Sequence, residues 1–597
     1  MKSFVQKSFK KLSRHISIWH ELLHYNNVTS IATGRILFLS SCFCFCFVLI
    51  GARLIDLMVL SRITVSKEWN IRANAFDCGI PRADIIDRNG LVLATHLVTA
   101  SVYVNTNDIQ DINESVYKLH SVLTNLATDE IRKKLNSGKS FLWLCRHLSP
   151  KKQELIQRLG LPGVYLKKDY KRVYPFGNLA GHVIGFCDID GNGLAGVEKY
   201  FDSRLSTSNE PLQLSIDVKI QHIIRELLFS ATKEFDASGG NVIVMNAKTG
   251  EIIAIESVPC VDINQPSKAT QDELFNRNTL GVYEMGSVFK VLNMAIALES
   301  GKITKHCLFD ATNPIKIGHF LVTDFRGQNR PLTFEEAFIY SSNIAAVKIA
   351  QQFGGAIIQR KYFEHFGVFR PIRLELPEFG RPIYPKRWTD SVMMSSAYGY
   401  GVAVSPISLI SIVNGLTSGI FVPPTLLHQK APEQTRFISS SSAKEIRHLM
   451  RKVVCEGTAK KANVKGCRVF AKTGTAYKNK HGKYDAHGSR RTIFIGGFPE
   501  EDPQYIVLFM LDDPNASTST FGFATAGWNV VPYGGRMIER IAPLLGVLMS
   551  EEEETKTIAK TNCAVKVVNK PQNTTLATVD KSRKSQYDSI EQLFAHR

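Results

Sequence analysis

The stretch from Ile36 to Ala52 constrains this chain most, because it carries no charge and consists mainly of Leu, Phe, Cys, Val and Ile. Its length is at the lower limit for a helix that spans a bilayer, about 17 to 25 residues. A cleaved signal peptide is the alternative interpretation. However, the segment before it is much longer than a usual signal-peptide start, and Ile50-Gly51-Ala52 is a poor cleavage site. We therefore predict an uncleaved transmembrane anchor over residues 36–58.

The segment before the anchor, residues 1–35, is basic. One acid, Glu21, stands against six cations, which are Lys2, Lys7, Lys10, Lys11, Arg14 and Arg35. The positive-inside rule places such a segment in the cytoplasm. Because no later run is long and apolar enough to cross back, the rest of the chain is predicted to lie outside the cytoplasmic membrane.

Charge and cysteine usage exclude several classes of protein. The net charge is +19, which fits an anionic partner such as a membrane surface or an acidic polymer. No zinc-finger or RNP-like pattern occurs, so we predict no nucleic-acid partner. The 11 cysteines include no C-x-x-C pair. We therefore predict neither a metal site nor a cofactor.

The pattern of strand-like and helix-like segments predicts two folded regions beyond the anchor. Residues 59–210 alternate short strand-like and helix-like pieces without catalytic motifs, and predict a spacer or docking domain. Residues 211–549 run from strands to helices and back to strands, which predicts an α+β domain with a mainly antiparallel sheet flanked by helices. Its expected strands are 241–245, 251–256, 468–476, 492–497 and 505–511, and its last helix is expected at 534–548. Residues 550–597 are polar and begin with four glutamates, which predicts a disordered tail.

Three short motifs carry the chemistry of the second region. They are Ser287-Val-Phe-Lys290, Ser341-Ser342-Asn343 and Lys472-Thr473-Gly474-Thr475. Apolar residues follow Ser287, so a buried helix is expected there with the serine as its N-cap and Lys290 on the same face. A lysine buried beside a serine is costly without a function. Together the motifs supply a nucleophile, a base, a polar bridge and a cationic strand edge, as serine acylation requires.

Each motif alone is a weak signal. Serine three residues before lysine also occurs elsewhere, for example at Ser441 and Lys444. Ser341 and Asn343 alone would indicate a helix cap between two helices. Lys248-Thr249-Gly250 repeats part of the third motif, but it lies in the turn of a predicted hairpin, where the glycine serves the turn. Only the ordered set distinguishes the three motifs from such copies.

The motif set resembles that of the serine acyltransferases that bind penicillin. Further blocks narrow the resemblance: Arg172-Val-Tyr-Pro-Phe-Gly177, Gly193-Leu-Ala-Gly-Val-Glu198 and Tyr398-Gly-Tyr-Gly401. With the single anchor, they resemble a class B penicillin-binding protein of the division-specific, FtsI-like type, over roughly residues 35–548. The chain departs from the family pattern at Met285, where proline is usual, and at Ala83, where glycine is usual.

The resemblance implies a peptidoglycan D,D-transpeptidase that cross-links stem peptides at the division septum and is acylated by β-lactams. It implies Ser287 as nucleophile, Lys290 as base, Ser341 as proton relay and Asn343 as an orienting group. Lys472 would attract the terminal carboxylate of the substrate, helped by the substrate-binding residues Thr473, Gly474 and Thr475. The glycine would permit close approach of a ligand.

The resemblance also implies the setting of the enzyme. The anchor would cross the cell inner membrane, and the elongated pedestal and catalytic domain would be periplasmic. Expected partners are the cytoplasmic membrane and division-complex proteins, including a polytopic glycan polymerase, because no segment resembles a glycan-polymerising domain.

Other functions stay open on the residues alone. A D,D-carboxypeptidase or β-lactamase would use the same three motifs, and a lactamase adds a glutamate that activates water. Glu375 and Glu378 fall in a suitable interval for that glutamate. A non-enzymatic receptor that is acylated and signals is a second alternative, and a scaffold of the division machinery is a third.

Overall fold

The structure, a computed structural model, describes residues 30–55, 81–317, 320–428, 434–480, 483–484 and 489–547. The chain divides into two compact units, residues 1–79 and 80–597. In the first unit, helix α1 spans Ser30–Ile55 and exposes Phe38, Phe43, Phe45 and Phe47. Within the described ranges, no helix meets the length and apolarity of a membrane span. The anchor over 36–58 therefore stays a prediction, and the predicted tail, 550–597, lies outside the described residues.

The second unit begins with the predicted pedestal. Its strands are β1 (Ile85–Ile86), β2 (Val92–Val104), β3 (Leu142–Leu148), β4 (Val164–Val173) and β5 (Leu212–Gln213). Its helices are α2 (Ile112–Val122), α3 (Thr128–Leu135), α4 (Pro150–Leu159), α5 (Gly181–Ile184), α6 (Gly196–Tyr200) and α7 (Asp202–Thr207). The long strand β2 pairs antiparallel with β1, β3 and β4, and β1 pairs in parallel with β5.

A buried ion cluster joins the start of the pedestal to its end. Arg82 donates to Glu198 Oε2 at 2.6 Å and to Asp202 Oδ1 at 2.6 Å. Arg172 donates to the other oxygen of Glu198 at 2.7 Å. Glu198 is fully buried. Because one carboxylate serves two arginines, removing it would leave two buried cations facing each other.

The catalytic region is built on one five-stranded antiparallel sheet. Its strands, in spatial order, are β16 (Phe470–Tyr477), β19 (Arg490–Phe498), β20 (Tyr505–Asp512), β6 (Gly239–Asn246) and β7 (Ile252–Val258). The predicted hairpin and the three later strands are thereby confirmed, with small differences in their ends. The remaining strands form two-stranded ribbons: β8 (Tyr283–Glu284) with β13 (Ala403–Val404), β9 (Leu308–Asp310) with β12 (Pro331–Thr333), β10 (Ile315–Ile317) with β11 (Phe320–Val322), β14 (Ile420–Phe421) with β15 (Thr435–Arg436), and β17 (Asn479–Lys480) with β18 (Lys483–Tyr484).

Helices pack on this sheet and on one another, as the α+β prediction requires. They are α8 (Val218–Glu234), α9 (Gln271–Leu274), α10 (Lys290–Glu299), α11 (Phe334–Ile339), α12 (Asn343–Phe353), α13 (Gly355–His365), α14 (Asp390–Ala397), α15 (Pro406–Ser418), α16 (Ser440–Cys455) and α17 (Val530–Ile541). Helices α10 and α15 are buried almost all round. Such helices form the interior of a large domain.

The helix predicted at the end of the domain is confirmed, but its bounds, 534–548, are wrong, because helix α17 spans Val530–Ile541. Helix α17 begins at Val530, where the Asn529 side chain accepts from the first backbone N–H. Gly534 lies inside the helix and is buried. A Cβ at this position would be 2.5 Å from the ring of Phe494. Gly534 therefore permits close packing of α17 on strand β19.

Candidate active site

The first motif lies on a turn of 3₁₀ helix, Gly286–Phe289, that leads into α10. The prediction that Ser287 is the N-cap of a helix is wrong. Its side chain makes no capping hydrogen bond, and Phe289 precedes the first residue of α10. A capping hydroxyl would be committed to a backbone N–H, whereas that of Ser287 stays available for chemistry. Ser287 is half-buried and lies just before the buried helix α10.

Lys290 is fully buried, and its Nζ contacts residues of the first two motifs. Nζ lies 3.2 Å from Ser287 Oγ, 2.7 Å from Asn343 Oδ1 and 2.5 Å from the carbonyl oxygen of Ser341. It also lies 3.1 Å from Ser341 Oγ. The predicted base is therefore within hydrogen-bond distance of the predicted nucleophile.

These contacts are compatible with an uncharged Lys290. The Ser341 carbonyl and Asn343 Oδ1 can only accept, so they take the two N–H donors of a neutral amine. The lone pair is then left for a hydroxyl proton. Burial lowers the pKa of Lys290 to about 7, against the opposing effect of the Asp324 carboxylate. A fraction of the amine is thus neutral at neutral pH, as a general base requires.

Asp324, which the sequence analysis missed, holds the second motif. Its carboxylate accepts from Ser342 Oγ at 2.6 Å and from the backbone N–H groups of Asn343 and Ile344. A carboxylate at the start of α12 stabilises those otherwise unpaired donors. The Asn343 amide is oriented because its Nδ2 donates to the carbonyl of Thr323 at 2.9 Å, which turns Oδ1 toward Lys290. A single aspartate in a loop carries no sequence signal that would have revealed this role.

Ser341 bridges two lysines. Its Oγ lies 3.1 Å from Lys290 Nζ and 3.0 Å from Lys472 Nζ. The backbone of Ser341 has φ 58°, a left-handed conformation that costs free energy for a residue with a side chain. That conformation directs both the carbonyl and the hydroxyl of Ser341 toward Lys290. The capping role suggested for this motif belongs to its neighbour Ser342, whose hydroxyl accepts from Ala345 N.

Lys472 is fully buried on strand β16. Its Nζ donates to Ser341 Oγ and lies 3.1 Å from the carbonyl of Thr473. Burial lowers the pKa of Lys472 well below its usual value, and the nearby amine of Lys290 lowers it further. An anion bound beside it would reverse this effect, because an opposite charge favours the protonated form.

Two glycines bring the first and third motifs into contact. A Cβ on Gly474 would be 2.6 Å from the carbonyl of Met285, and a Cβ on Gly286 would be 2.6 Å from the carbonyl of Thr475. Gly286 also has φ 52°, which favours glycine. The sequence indicated that Gly474 permits approach of a ligand, but the backbone that approaches it is the nucleophile turn. Strand β16 and Ser287 are therefore packed backbone to backbone.

The remaining residues of the third motif face neighbouring loops. Thr473 Oγ1 lies 2.6 Å from Thr458 Oγ1. Thr475 Oγ1 accepts from the backbone N–H of Ala526 at 3.3 Å. The loops that contain Thr458 and Ala526 thus adjoin the third motif, and no sequence motif indicated this.

The partial copies of the motifs behave as expected. The Lys248 amine pairs with Asp502 at 2.6 Å, and Gly250 has φ 75° in the turn between β6 and β7. The glutamate considered for a lactamase, Glu375, accepts from Thr425 Oγ1 and from Leu426 N, both at 2.7 Å. The described residues contain no group of His, Cys, Asp and Glu that could hold a metal ion.

Comparison with known families gives a class for this fold and site. The family model of the penicillin-binding protein transpeptidase domain matches residues 240–527. That of the penicillin-binding protein dimerisation domain matches residues 79–227. The resemblance inferred from the motifs is confirmed. All three motifs fall within the transpeptidase match.

Relatives cover most of the chain. "Probable peptidoglycan D,D-transpeptidase FtsI" of Caulobacter vibrioides is 35% identical over 81% of this chain and 84% of the relative. "Peptidoglycan D,D-transpeptidase FtsI" of Escherichia coli K12 is 26% identical over 88% of this chain and 92% of the relative. A crystal structure of penicillin binding protein 3 from Mycobacterium tuberculosis, complexed with aztreonam, shares the fold at a TM-score of 0.63 and 20% identity, covering 79% of this chain and 98% of that chain. The chain belongs to the class B penicillin-binding proteins.

Proposed function

We propose that Ser287 is the acylated nucleophile and Lys290 the base that activates it. The observation that carries the proposal is the 3.2 Å separation of Ser287 Oγ from the fully buried amine of Lys290. A serine hydroxyl is a weak nucleophile unless a base accepts its proton. The Ser341 carbonyl and Asn343 Oδ1 occupy the two N–H donors of the neutral amine and leave its lone pair for that proton.

The substrate carboxylate belongs on the third motif. The chain is a peptidoglycan D,D-transpeptidase, so Ser287 attacks the carbonyl of the penultimate D-Ala of a stem peptide. Lys472 attracts the terminal carboxylate, and the hydroxyls of Thr473 and Thr475 donate to it. The backbone N–H groups of Ser287 and Thr475 hold the oxyanion. One such donor is typically worth about 3–4 kcal/mol of transition-state stabilisation.

Proton movement follows the chain of contacts through Ser341. Attack forms the bond between Ser287 Oγ and the acyl carbon and breaks the peptide bond, and the hydroxyl proton passes to Lys290. Ser341 Oγ, within 3.1 Å of both lysine amines, relays a proton to the departing D-Ala amine. Asn343 keeps Lys290 and the substrate amide in place. An amine of a neighbouring stem peptide then displaces Ser287 and forms the cross-link.

β-Lactams acylate the same serine, because their strained amide takes the place of the scissile peptide bond. A hydrolase is the alternative outcome of the same acyl-enzyme. The contacts of Glu375 with Thr425 and Leu426 favour a structural role for that glutamate over activation of water. A slow release of bound penicillin is therefore expected.

The setting of the enzyme is part of the proposal. Residues 1–35 are cytoplasmic, 36–58 anchor the chain in the inner membrane, 59–210 form the pedestal and 211–549 the periplasmic transpeptidase domain. The enzyme acts at the septum with division-complex proteins, including a polytopic glycan polymerase. The exposed phenylalanines of α1 support the anchor. A fluorescent fusion that spreads evenly along the lateral wall of dividing cells would contradict the septal role.

Labelling with a tagged penicillin tests the nucleophile and the base. We expect Ser287→Ala to abolish covalent labelling, and Lys290→Arg, which keeps a charge but cannot act as a base, to slow it by about a hundredfold or more. Ser441→Ala and Lys444→Arg are the matched controls, because they alter the same spacing on an exposed helix start. Covalent labelling of Ser287→Ala at the normal rate would refute the assignment.

A further inference from the structure

A row of aromatic rings and cations lies beside the second and third motifs. The guanidinium of Arg326 lies 5.3 Å from the ring centre of Phe523, and the Phe523 ring stacks on Trp528 at 5.4 Å with an interplanar angle of 15°. The amine of Lys461 lies 3.8 Å from the ring centre of Trp528. We refer to Arg326, Phe523, Trp528 and Lys461 as the rim. Phe521, which packs edge-on against Trp528, is 78% exposed.

The chain connects the rim directly to the active site. Arg326 follows Asp324 by two residues, and Asp324 holds Ser342 and Asn343. Phe523 and Trp528 flank Ala526, whose N–H donates to Thr475 Oγ1. The rim thus joins the loop that supports the second motif to the loop that contacts the third.

The rim has the composition of a binding surface rather than of a structural contact. Arg326 is exposed, and among the described residues no carboxylate lies within ion-pair distance of it. In contrast, Arg330, in the same loop, pairs with Glu336 at 2.6 Å. Phe523 and Trp528 are half-buried, so part of each ring is accessible. Accessible aromatic rings grouped with cations mark interaction sites, because the rings bind apolar stems and the cations bind anions.

The position of the rim indicates which of the two substrates, the donor or the acceptor stem peptide, lies beside it. Thr473, Thr475 and Lys472 are proposed to bind the carboxylate of the departing D-Ala, and the rim loops contact two of these residues. Cross-linking reverses the departure of D-Ala, so the incoming amine enters from the same side. The rim therefore flanks the acceptor stem peptide rather than the donor.

We propose that the rim binds the acceptor stem peptide, whose own terminal carboxylate pairs with Arg326 while its aliphatic part packs on Phe523 and Trp528. The planar guanidinium matches a carboxylate through two parallel hydrogen bonds. The acceptor amine then attacks the acyl carbon: the C–N bond forms, the bond to Ser287 Oγ breaks, and the amine proton returns to Oγ by way of Lys290. This inference rests on the proposed acylation of Ser287.

The partition of the acyl-enzyme between aminolysis and hydrolysis tests the rim. The full-length protein in detergent is acylated by a D-alanyl thioester donor, in the presence of an acceptor stem peptide with either a terminal carboxylate or a terminal carboxamide. We expect Arg326→Gln to lower the aminolysis-to-hydrolysis ratio about tenfold for the carboxylate acceptor and to leave it unchanged for the carboxamide. Arg326→Lys should retain part of the ratio, and Arg330→Gln, the matched control, should affect neither acceptor.

Two results would overturn the inference. One is an unchanged ratio in Arg326→Gln, and the other is an equal loss for both acceptors, which would indicate a structural role. The rate of penicillin acylation, measured on the same variants, is expected to be that of the wild type. Slow penicillin acylation in Arg326→Gln would place the residue in the acylation step and also contradict the inference, whereas failure of the nucleophile assignment appears only in Ser287→Ala.

Discussion

At the scale of single residues, the site contains two lysine amines that are both fully buried and share the hydroxyl of Ser341. Two positive charges this close together in a buried site repel each other, so the charged form of one lysine lowers the pKa of the other. The pKa values of both lysines are lowered, mainly by burial. The lowered pKa values thus fit the two proposed roles, Lys290 as the base and Lys472 as the lysine that binds an anion.

Asp324 provides a test of the charge balance around Lys290. Its carboxylate opposes the effect of burial on the pKa of Lys290. We expect Asp324→Asn to lower that pKa and to move the midpoint of the pH profile of penicillin acylation to lower pH, because less negative charge remains to stabilise the ammonium form. Asp310→Asn, which alters an exposed carboxylate near Lys348, is the control. A midpoint that stays in place or moves to higher pH would contradict this account.

The three motifs could be located in the sequence, but the contacts between one motif and another could not be predicted from spacing. The spacing of Ser287 and Lys290 brings them together within one turn. The approach of Ser341, Asn343 and Lys472 depends on packing between distant segments, which spacing does not encode. The N-cap role of Ser287 was wrong because a 3₁₀ turn, rather than a standard helix start, leads into α10.

At the scale of elements, the fit between the nucleophile turn and strand β16 is tight enough to test. Gly474→Ala would bring a Cβ to 2.6 Å from the Met285 carbonyl. We expect the turn that contains Ser287 to be displaced and the rate of penicillin acylation to fall about a hundredfold, because small misplacements at a catalytic centre have effects of this size. Gly301→Ala is the control: it has φ 65° but open space, so about 1 kcal/mol of stability is lost and acylation is kept. Equal acylation rates in the two variants would refute the packing argument.

Elements with strict alternation or a long apolar run were the ones predicted correctly. The predicted strands 241–245, 492–497 and 505–511 lie within strands of the central sheet, and the predicted strand 251–256 begins one residue before β7. The final helix was predicted to begin at Gly534, whereas Gly534 and Gly535 are both buried inside α17, which begins at Val530. A glycine that serves packing and one that ends an element look the same in a sequence.

At the scale of the whole molecule, one continuous hydrophobic core runs from the base of the pedestal into the transpeptidase domain. It includes Ile85 and Val197 from the pedestal and Val244 from the central sheet. A separate, smaller core fills the outer part of the pedestal around Val102 and Leu119. The base of the pedestal is thus part of the folding unit that supports the active site.

Glu256 lies where these two regions meet and makes stability depend on pH. Its Oε2 accepts from Gln221 Nε2 at 2.6 Å and from Ala180 N at 3.4 Å, and Oε1 has no hydrogen-bond partner among the described residues. Burial raises the pKa of Glu256 to about 7. A raised pKa gives stability that is present at low pH and is lost as pH rises through about 7.

We therefore expect the melting temperature of the wild type, relative to Glu256→Gln, to fall as the pH is raised from 5 to 8. The shift of the pKa from 4.5 to about 7 corresponds to a loss on the order of 3 kcal/mol. Glu226→Gln, at a surface pair with Arg540, should show no such trend over this range. A difference between wild type and Glu256→Gln that does not change with pH would contradict the burial of an ionisable carboxyl at this junction.

The central claim is that a neutral Lys290 activates Ser287, and the pH dependence of penicillin acylation of the full-length wild-type protein tests it most directly. The base acts only when it is unprotonated, and the pKa of Lys290 is lowered to about 7. The second-order rate constant of acylation is therefore predicted to be low at pH 5, to rise with a midpoint near pH 7 and to level off above it. A rate that is constant between pH 5 and 8, or that falls as the pH is raised, would contradict the claim.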